Sequence, residues 1–204
     1  EGSDADTVGL MTTAHNDRGL YFAAGLRYVT KTEQTTNGSF VSALTNQPTA
    51  NDVIDKLIEV VNMEGYISGG YTDVQKAIQN GTTLFAGEVL DVLRRMAGAE
   101  NLRVGVLPHP MLNESQEGYH CYVNDKATVV VAPTSYSDLD TVADFQTLFA
   151  YHSSMLVRPA YINTFKYSYS SDEESAEMLD IIFSCRIYDV GYIDGFSTSM
   201  DGYV

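Results

Sequence analysis

Cysteine and positive charge are the two scarcities of this sequence. Cysteine occurs twice in 204 residues, at Cys121 and Cys185. Two are too few for a disulfide scaffold, and they lack metal-ligand spacing. Their separation gives no geometry for a bridge, so two buried or free thiols is the simpler reading. Lysine and arginine together number 12 against 27 acidic residues, a formal net charge of −15. A chain this acidic repels phosphate backbones and anionic lipid surfaces, which argues against nucleic-acid or membrane-surface partners. Long apolar runs are missing too. The longest, Leu20 to Leu26, falls far short of the roughly 18 residues that a spanning helix needs. The opening Glu1-Gly2-Ser3-Asp4 has neither the positive nor the apolar region of a signal peptide. That fits either a cytosolic chain or one trimmed of its leader.

Signatures of chemistry are equally scarce. There is no GxGxxG, no P-loop, no HExxH and no GxSxG. Gly65 to Gly70 is glycine-rich but lacks the lysine of a phosphate cradle, and reads as a loop between two helices. The histidines His15, His109, His120 and His152 share no i,i+4 spacing. His120 and Cys121 would point to opposite faces of a strand, which disfavours a shared metal. Asp172, Glu173, Glu174 and Glu177 form the densest acidic cluster. Acids in a first helical turn complement the macrodipole, and that role fits better than a glycosidase pair. No cofactor, metal or catalytic residue is therefore expected.

What is present is core-forming pattern and tyrosine. Hydrophobic residues make up 44% of the chain, enough for a fold of this length to bury about 70% of its unfolded surface. Helical spacing covers Pro48 to Gly65, with Val53, Leu57, Val60 and Val61 on one face. It recurs from a Thr72-Asp73-Val74-Gln75 capping box to a stop at Gly81. Ser137 to His152 places Leu139, Val142, Ala143 and Phe149 near one stripe. A Ser171-Asp172-Glu173-Glu174 box precedes Met178, Ile181, Ile182 and Cys185. Strands are expected at Val8–Thr12, Thr82–Ala86, Arg103–Leu107, Tyr119–Val123 and Thr128–Ala132. Helices alternating with short strands give an α/β class. The 14 tyrosines, with no tryptophan, join apolar faces to polar tips. That suits sugar-facing or interface surfaces, although packing explains any single one more simply.

Three runs resemble one family, the bacterial extracellular solute-binding proteins of sugar transporters (the maltose-binding-protein class). The first is Gly69-Gly70-Tyr71-Thr72-Asp73-Val74-Gln75-Lys76-Ala77, with Gly81 and then Thr83-Leu84-Phe85-Ala86-Gly87-Glu88-Val89-Leu90. The second is Val104-Gly105-Val106-Leu107-Pro108-His109-Pro110, followed by Tyr119 to Val123. The third and most specific runs from Asp172 to Phe183 and on through Arg186-Ile187-Tyr188-Asp189-Val190-Gly191. Together with a softer match at Asp6 to Thr30, the likeness spans most of the chain.

Family members are longer and have two lobes. The resemblance therefore implies a periplasmic-binding-protein type II-like lobe, the C-terminal half of a two-lobe protein. Residues 1–118 would form the second-lobe α/β core. Residues 119–160 would hold crossing strands and a first-lobe helix, and 161–204 would return to the second lobe. The likeness implies an exported, cell-surface, lipid-anchored protein that captures a carbohydrate for the membrane subunits of an ABC importer. The ligand-binding residues it implies by position are His15, Asn16, Asp17 and Tyr21 after the first strand, Glu88 after Thr82–Ala86, and Tyr122, Asn124 and Asp125 at the crossing. Asn and Asp suit sugar hydroxyls and Tyr offers a stacking face. Two rivals stand beside this reading. One is a carbohydrate-active hydrolase using Asp17 and Glu88. The other is a non-catalytic interaction domain, a homodimer formed through the surface that a missing lobe leaves bare.

Overall fold

The computed structural model describes residues 8–13, 18–31, 41–43, 47–96, 102–128, 130–169 and 172–193. In chain order these form β1 (Val8–Thr13), α1 (Arg18–Ala23), β2 (Val29–Thr30), β3 (Val41–Ser42), α2 (Ala50–Val61), β4 (Tyr66–Gly69), α3 (Tyr71–Asn80), β5 (Thr83–Gly87) and α4 (Asp91–Met96). After a long irregular stretch come β6 (Cys121–Tyr122), α5 (Leu139–His152), α6 (Arg158–Thr164), α7 (Glu173–Ser184), β7 (Arg186–Ile187) and α8 (Val190–Ile193). π-helical turns at Ser153–Val157 and Phe165–Tyr169 carry the chain through and beyond α6. The class is mixed α/β, with small parallel sheets flanked by helices. Among the described residues no helix is long and apolar enough to cross a membrane.

The largest sheet has the order β4-β1-β5 and is parallel throughout. Its register sets Met11 beside Ile67 on one side and Ala86 on the other. Parallel strands need crossover connections, and α3 supplies the one that carries the chain from β4 past β1 to β5. Its Val74 and Ala77 bury against Met11. The Gly70 amide donates to Asp73 Oδ2 at 3.3 Å at the start of α3, and Gly81 ends it at φ 66°. The stop at Gly81 is as the spacing predicts, because a left-handed C-cap favours glycine. The start lies two residues before Thr72.

Two further clusters hold the rest. Tyr21, Phe22, Leu26 and Tyr28 pack with Val53 and Leu57 of α2 and with Ile187 and Tyr192. Val92, Leu93 and Met96 of α4 pack with Val106, Cys121, Phe165 and the buried face of α7. Asp172, rather than Ser171, caps α7: its Oδ1 accepts the Ser175 amide at 2.6 Å. Ser171 itself lies outside the described residues.

Three expectations need correction. Gly65 to Gly70 is no simple loop, since Tyr66–Gly69 forms edge strand β4. Glycines on both sides of Tyr66 and Ile67 hide the strand, and pairing with β1 extends it through Ser68 and Gly69. Arg103–Leu107 forms no strand; it runs irregularly, with the Val106 amide donating to Ser175 Oγ at 2.9 Å. Thr128–Ala132 forms no strand among its described residues, and Val130 and Val131 are exposed. The stripe on α5 faces no core. No residue of α5, of α6 or of the π-turn between them is buried. Phe145, Leu148, Phe149, Met155 and Leu156 all stand open to solvent.

Candidate functional site

In a parallel sheet, ligands gather beyond the carboxyl ends of the strands. Here those ends are Thr13 of β1, Gly69 of β4 and Gly87 of β5. β5 approaches β1 closely there: a Cβ on Gly87 would stand 2.9 Å from Thr12 Cγ2. Glu88 follows directly, half-buried, with Oε2 accepting the Val89 amide at 3.2 Å. Arg18 opens α1, the first helix after β1, and its guanidinium lies 5.8 Å from the centre of the Tyr192 ring. At that range the cation is attracted to the ring face.

Tyr122 is the centre of this group. Its ring stacks on Phe22 at 5.5 Å and meets Tyr192 edge-on at 5.6 Å. The His109 ring lies 6.3 Å away on another side. Burial raises the phenol above the usual tyrosine range, and Tyr192 and Glu88 push the same way. Arg18 and a hydrogen bond from the Asn124 side chain oppose them. One phenol thus feels a cation, a carboxylate and an amide from three separate segments. Asn124 is itself oriented by its turn, with Oδ1 accepting the Lys126 amide at 2.9 Å.

Of the residues singled out from sequence, Glu88, Tyr122 and Asn124 come together here. Tyr21 lies elsewhere, in the aromatic core. Its hydroxyl accepts from Gln47 Nε2 at 3.0 Å and donates to the Arg27 carbonyl at 3.3 Å. Burial raises its pKa, Gln47 opposes, and Asp189 adds to the rise. Asp125 is exposed, 3.7 Å from Lys126 Nζ. His15, Asn16 and Asp17 lie outside the described residues. Sequence reasoning missed Tyr192 and His109 as neighbours of Tyr122. Tyr192 arrives from α8, and no local pattern joins it to the crossing. His109 was weighed only as a metal ligand. Among the described residues no three of His, Cys, Asp and Glu converge as metal ligands.

Chemically the group carries donors on Arg18, Asn124 and Tyr122 and acceptors on Glu88 and Asn124, while the Tyr122 and Tyr192 rings pack against Phe22 and each other. Such groups can hydrogen-bond a polar, hydroxyl-bearing molecule. His109 is buried, which lowers its pKa and keeps it neutral near pH 7. No family model, curated protein or solved structure matches the chain.

Proposed function

We propose that this chain is a lobe of an extracellular solute-binding protein, of the periplasmic-binding-protein type II kind, that captures a carbohydrate for an ABC importer. The observation that carries this reading is that Arg18, which opens the helix after β1, Glu88, which follows β5, and Asn124 all act on the Tyr122 phenol, while Arg18 also lies 5.8 Å from the Tyr192 ring. The three-run resemblance supports it. So does the exposed apolar stripe of α5, the helix that the resemblance assigns to the first lobe, whose core would cover it. Binding is by cleft closure, without chemistry. In this reading the full protein is lipid-anchored at the cell surface, and its partners are the sugar and the membrane subunits of the importer.

Thermal melts against a panel of mono- and oligosaccharides test it. A ligand at 100 times its Kd stabilises by about 2.7 kcal/mol, or roughly 5–10 °C for a chain of this size. One sugar should raise the midpoint saturably, and Tyr122→Phe and Glu88→Gln should each weaken the rise. A cooperative melt that no sugar moves overturns carbohydrate capture by this chain. Hydrolysis of a chromogenic glycoside that disappears in Glu88→Gln would transfer the site to the hydrolase reading.

A further inference from the structure

Cys121 opens β6, and Cys185 caps α7 immediately before β7. These positions bracket the helical excursion that contains α5 and α6. β6 and β7 pair in parallel, and the Cys121 amide donates to the Cys185 carbonyl at 3.0 Å. A direct backbone hydrogen bond draws two α-carbons to about the separation that a disulfide spans, roughly 4.4–6.8 Å. The side chains share one apolar cluster, and Cys185 Sγ donates to the Ile182 carbonyl at 3.7 Å. Both are free thiols, Cys121 buried and Cys185 half-buried. Their surroundings are apolar: Cys121 belongs to the cluster of Val106, Leu179, Ile182 and Phe183, and Cys185 packs against it.

We propose that Cys121 and Cys185 are an exchange-competent dithiol that closes to a disulfide with a small disulfide such as oxidised glutathione. The more accessible Cys185 attacks first. Its thiolate forms a bond to one glutathione sulfur, the glutathione S–S bond breaks, and one glutathione thiolate leaves. Cys121 then attacks the Cys185 sulfur and the second glutathione leaves. The two protons released by the cysteines end on the two glutathiones. The cysteine pair is oxidised by two electrons and one glutathione disulfide is reduced.

The order of attack follows from environment. Burial, and then the neighbouring Cys185 thiol, hold Cys121 well above the usual thiol range. At neutral pH it is a poor first nucleophile. The closed bond makes a covalent loop of everything between the two positions, including the exposed stripe. On the solute-binding reading, and only there, it also lies across the crossing between lobes and limits closure.

The test is to incubate the native chain with oxidised glutathione, quench with acid, and record intact mass and thiols. Closure is expected to remove both thiols, lower the mass by about 2 Da and yield one peptide pair joining Cys121 to Cys185. Cys121→Ser should stop at the mixed disulfide on Cys185, about 305 Da heavier. The closed form should melt higher, by roughly 5–10 °C, because the cross-link constrains the unfolded chain. Persistent thiols, a wild-type chain that stops at the glutathione adduct, or a cross-linked dimer would each overturn the proposal. None of these readouts uses sugar. A chain that closes but binds no carbohydrate keeps the disulfide and removes the binding reading.

Discussion

The Tyr28 amide donates to Asp189 Oδ2 at 2.9 Å across 161 positions of sequence. Asp189 Oδ1 accepts the Tyr192 amide at 3.0 Å. One carboxylate, only 4% exposed, therefore ties the start of β2 to the first turn of α8. The two elements touch so closely that a Cβ on Gly191 would stand 2.7 Å from Val29 Cγ1. Tyr28 and Tyr192 both belong to the aromatic cluster under Tyr122, so the bond fixes the floor of the candidate site.

Asp189→Ala should therefore be costly. Hydrogen bonds to a charged acceptor contribute about 1.5–3 kcal/mol each, and two are lost: the buried Tyr28 amide loses this acceptor, while the Tyr192 amide keeps the Asp189 carbonyl at 3.2 Å. A loss of about 3–5 kcal/mol in urea unfolding is expected. Asp189→Asn should cost less, since its carbonyl keeps one acceptor while its amide faces the other donor. Equal and small losses in both variants would show that the link does not hold the floor.

Leu179 and Leu148 are the same residue type in opposite settings. Leu179 is 0% exposed inside the α4–α7 cluster, and Leu148 on α5 is 59% exposed. Leu179→Ala should cost about 2–5 kcal/mol by lost transfer energy and the cavity left behind. Leu148→Ala should fall within about 0.5 kcal/mol, as surface changes do. A comparable loss at Leu148 would mean that the stripe is covered in solution, by another copy or by a segment that packs onto it. Light scattering on the same samples separates the two.

What could be read from sequence was mostly local. Val53 and Leu57 are buried on α2 as the spacing implies, but Val61 of the same expected face is exposed and the helix ends there rather than near Gly65, while α3 stops at Gly81 as expected. β1 and β5 carry strand-forming residues and pair as the middle and edge of one sheet. α5 shows the limit of this logic. Its spacing gives a helix, but periodicity names an apolar face without naming what covers it. β4 shows the converse, for its strand depends on a partner far away in sequence. At the site, Glu88, Tyr122 and Asn124 came from the resemblance by position, and the structure brings them near one another. Arg18 and Tyr192 joined them through a cation–ring contact that no spacing encodes.

Ser175 offers a check on how the irregular stretch before β6 is held. It is 2% exposed, and its Oγ accepts the Val106 amide at 2.9 Å. Ser175→Ala leaves that buried amide unmet and should cost about 1–3 kcal/mol. Amide exchange at Val106 should quicken with it. Unchanged exchange there would mean that packing of Val106 in the α7 cluster, rather than the hydroxyl, holds the segment.

pH should weaken the fold in two separate phases. Burial lowers the pKa of His109, and burial with the Arg27 cation lowers that of His120. In the unfolded chain histidine titrates near 6.5, so below about that pH the unfolded state binds more protons. Stability then falls as pH drops from about 6.5 toward the depressed folded values. Hydrogen bonds from Arg94 and Arg95 hold Asp91 below the ordinary carboxylate range, and the Ser175 amide does the same for Asp172. Their contribution is present above about pH 4 and is lost only as pH falls through those lower values. His109 is pressed against α1, where a Cβ on Gly19 would overlap its ring. His109→Leu should flatten the first phase and leave the second unchanged, read as melting midpoint from pH 7.5 to 3. An unaltered slope between pH 6.5 and 5 in that variant would show that burial of His109 is not what sets the first phase.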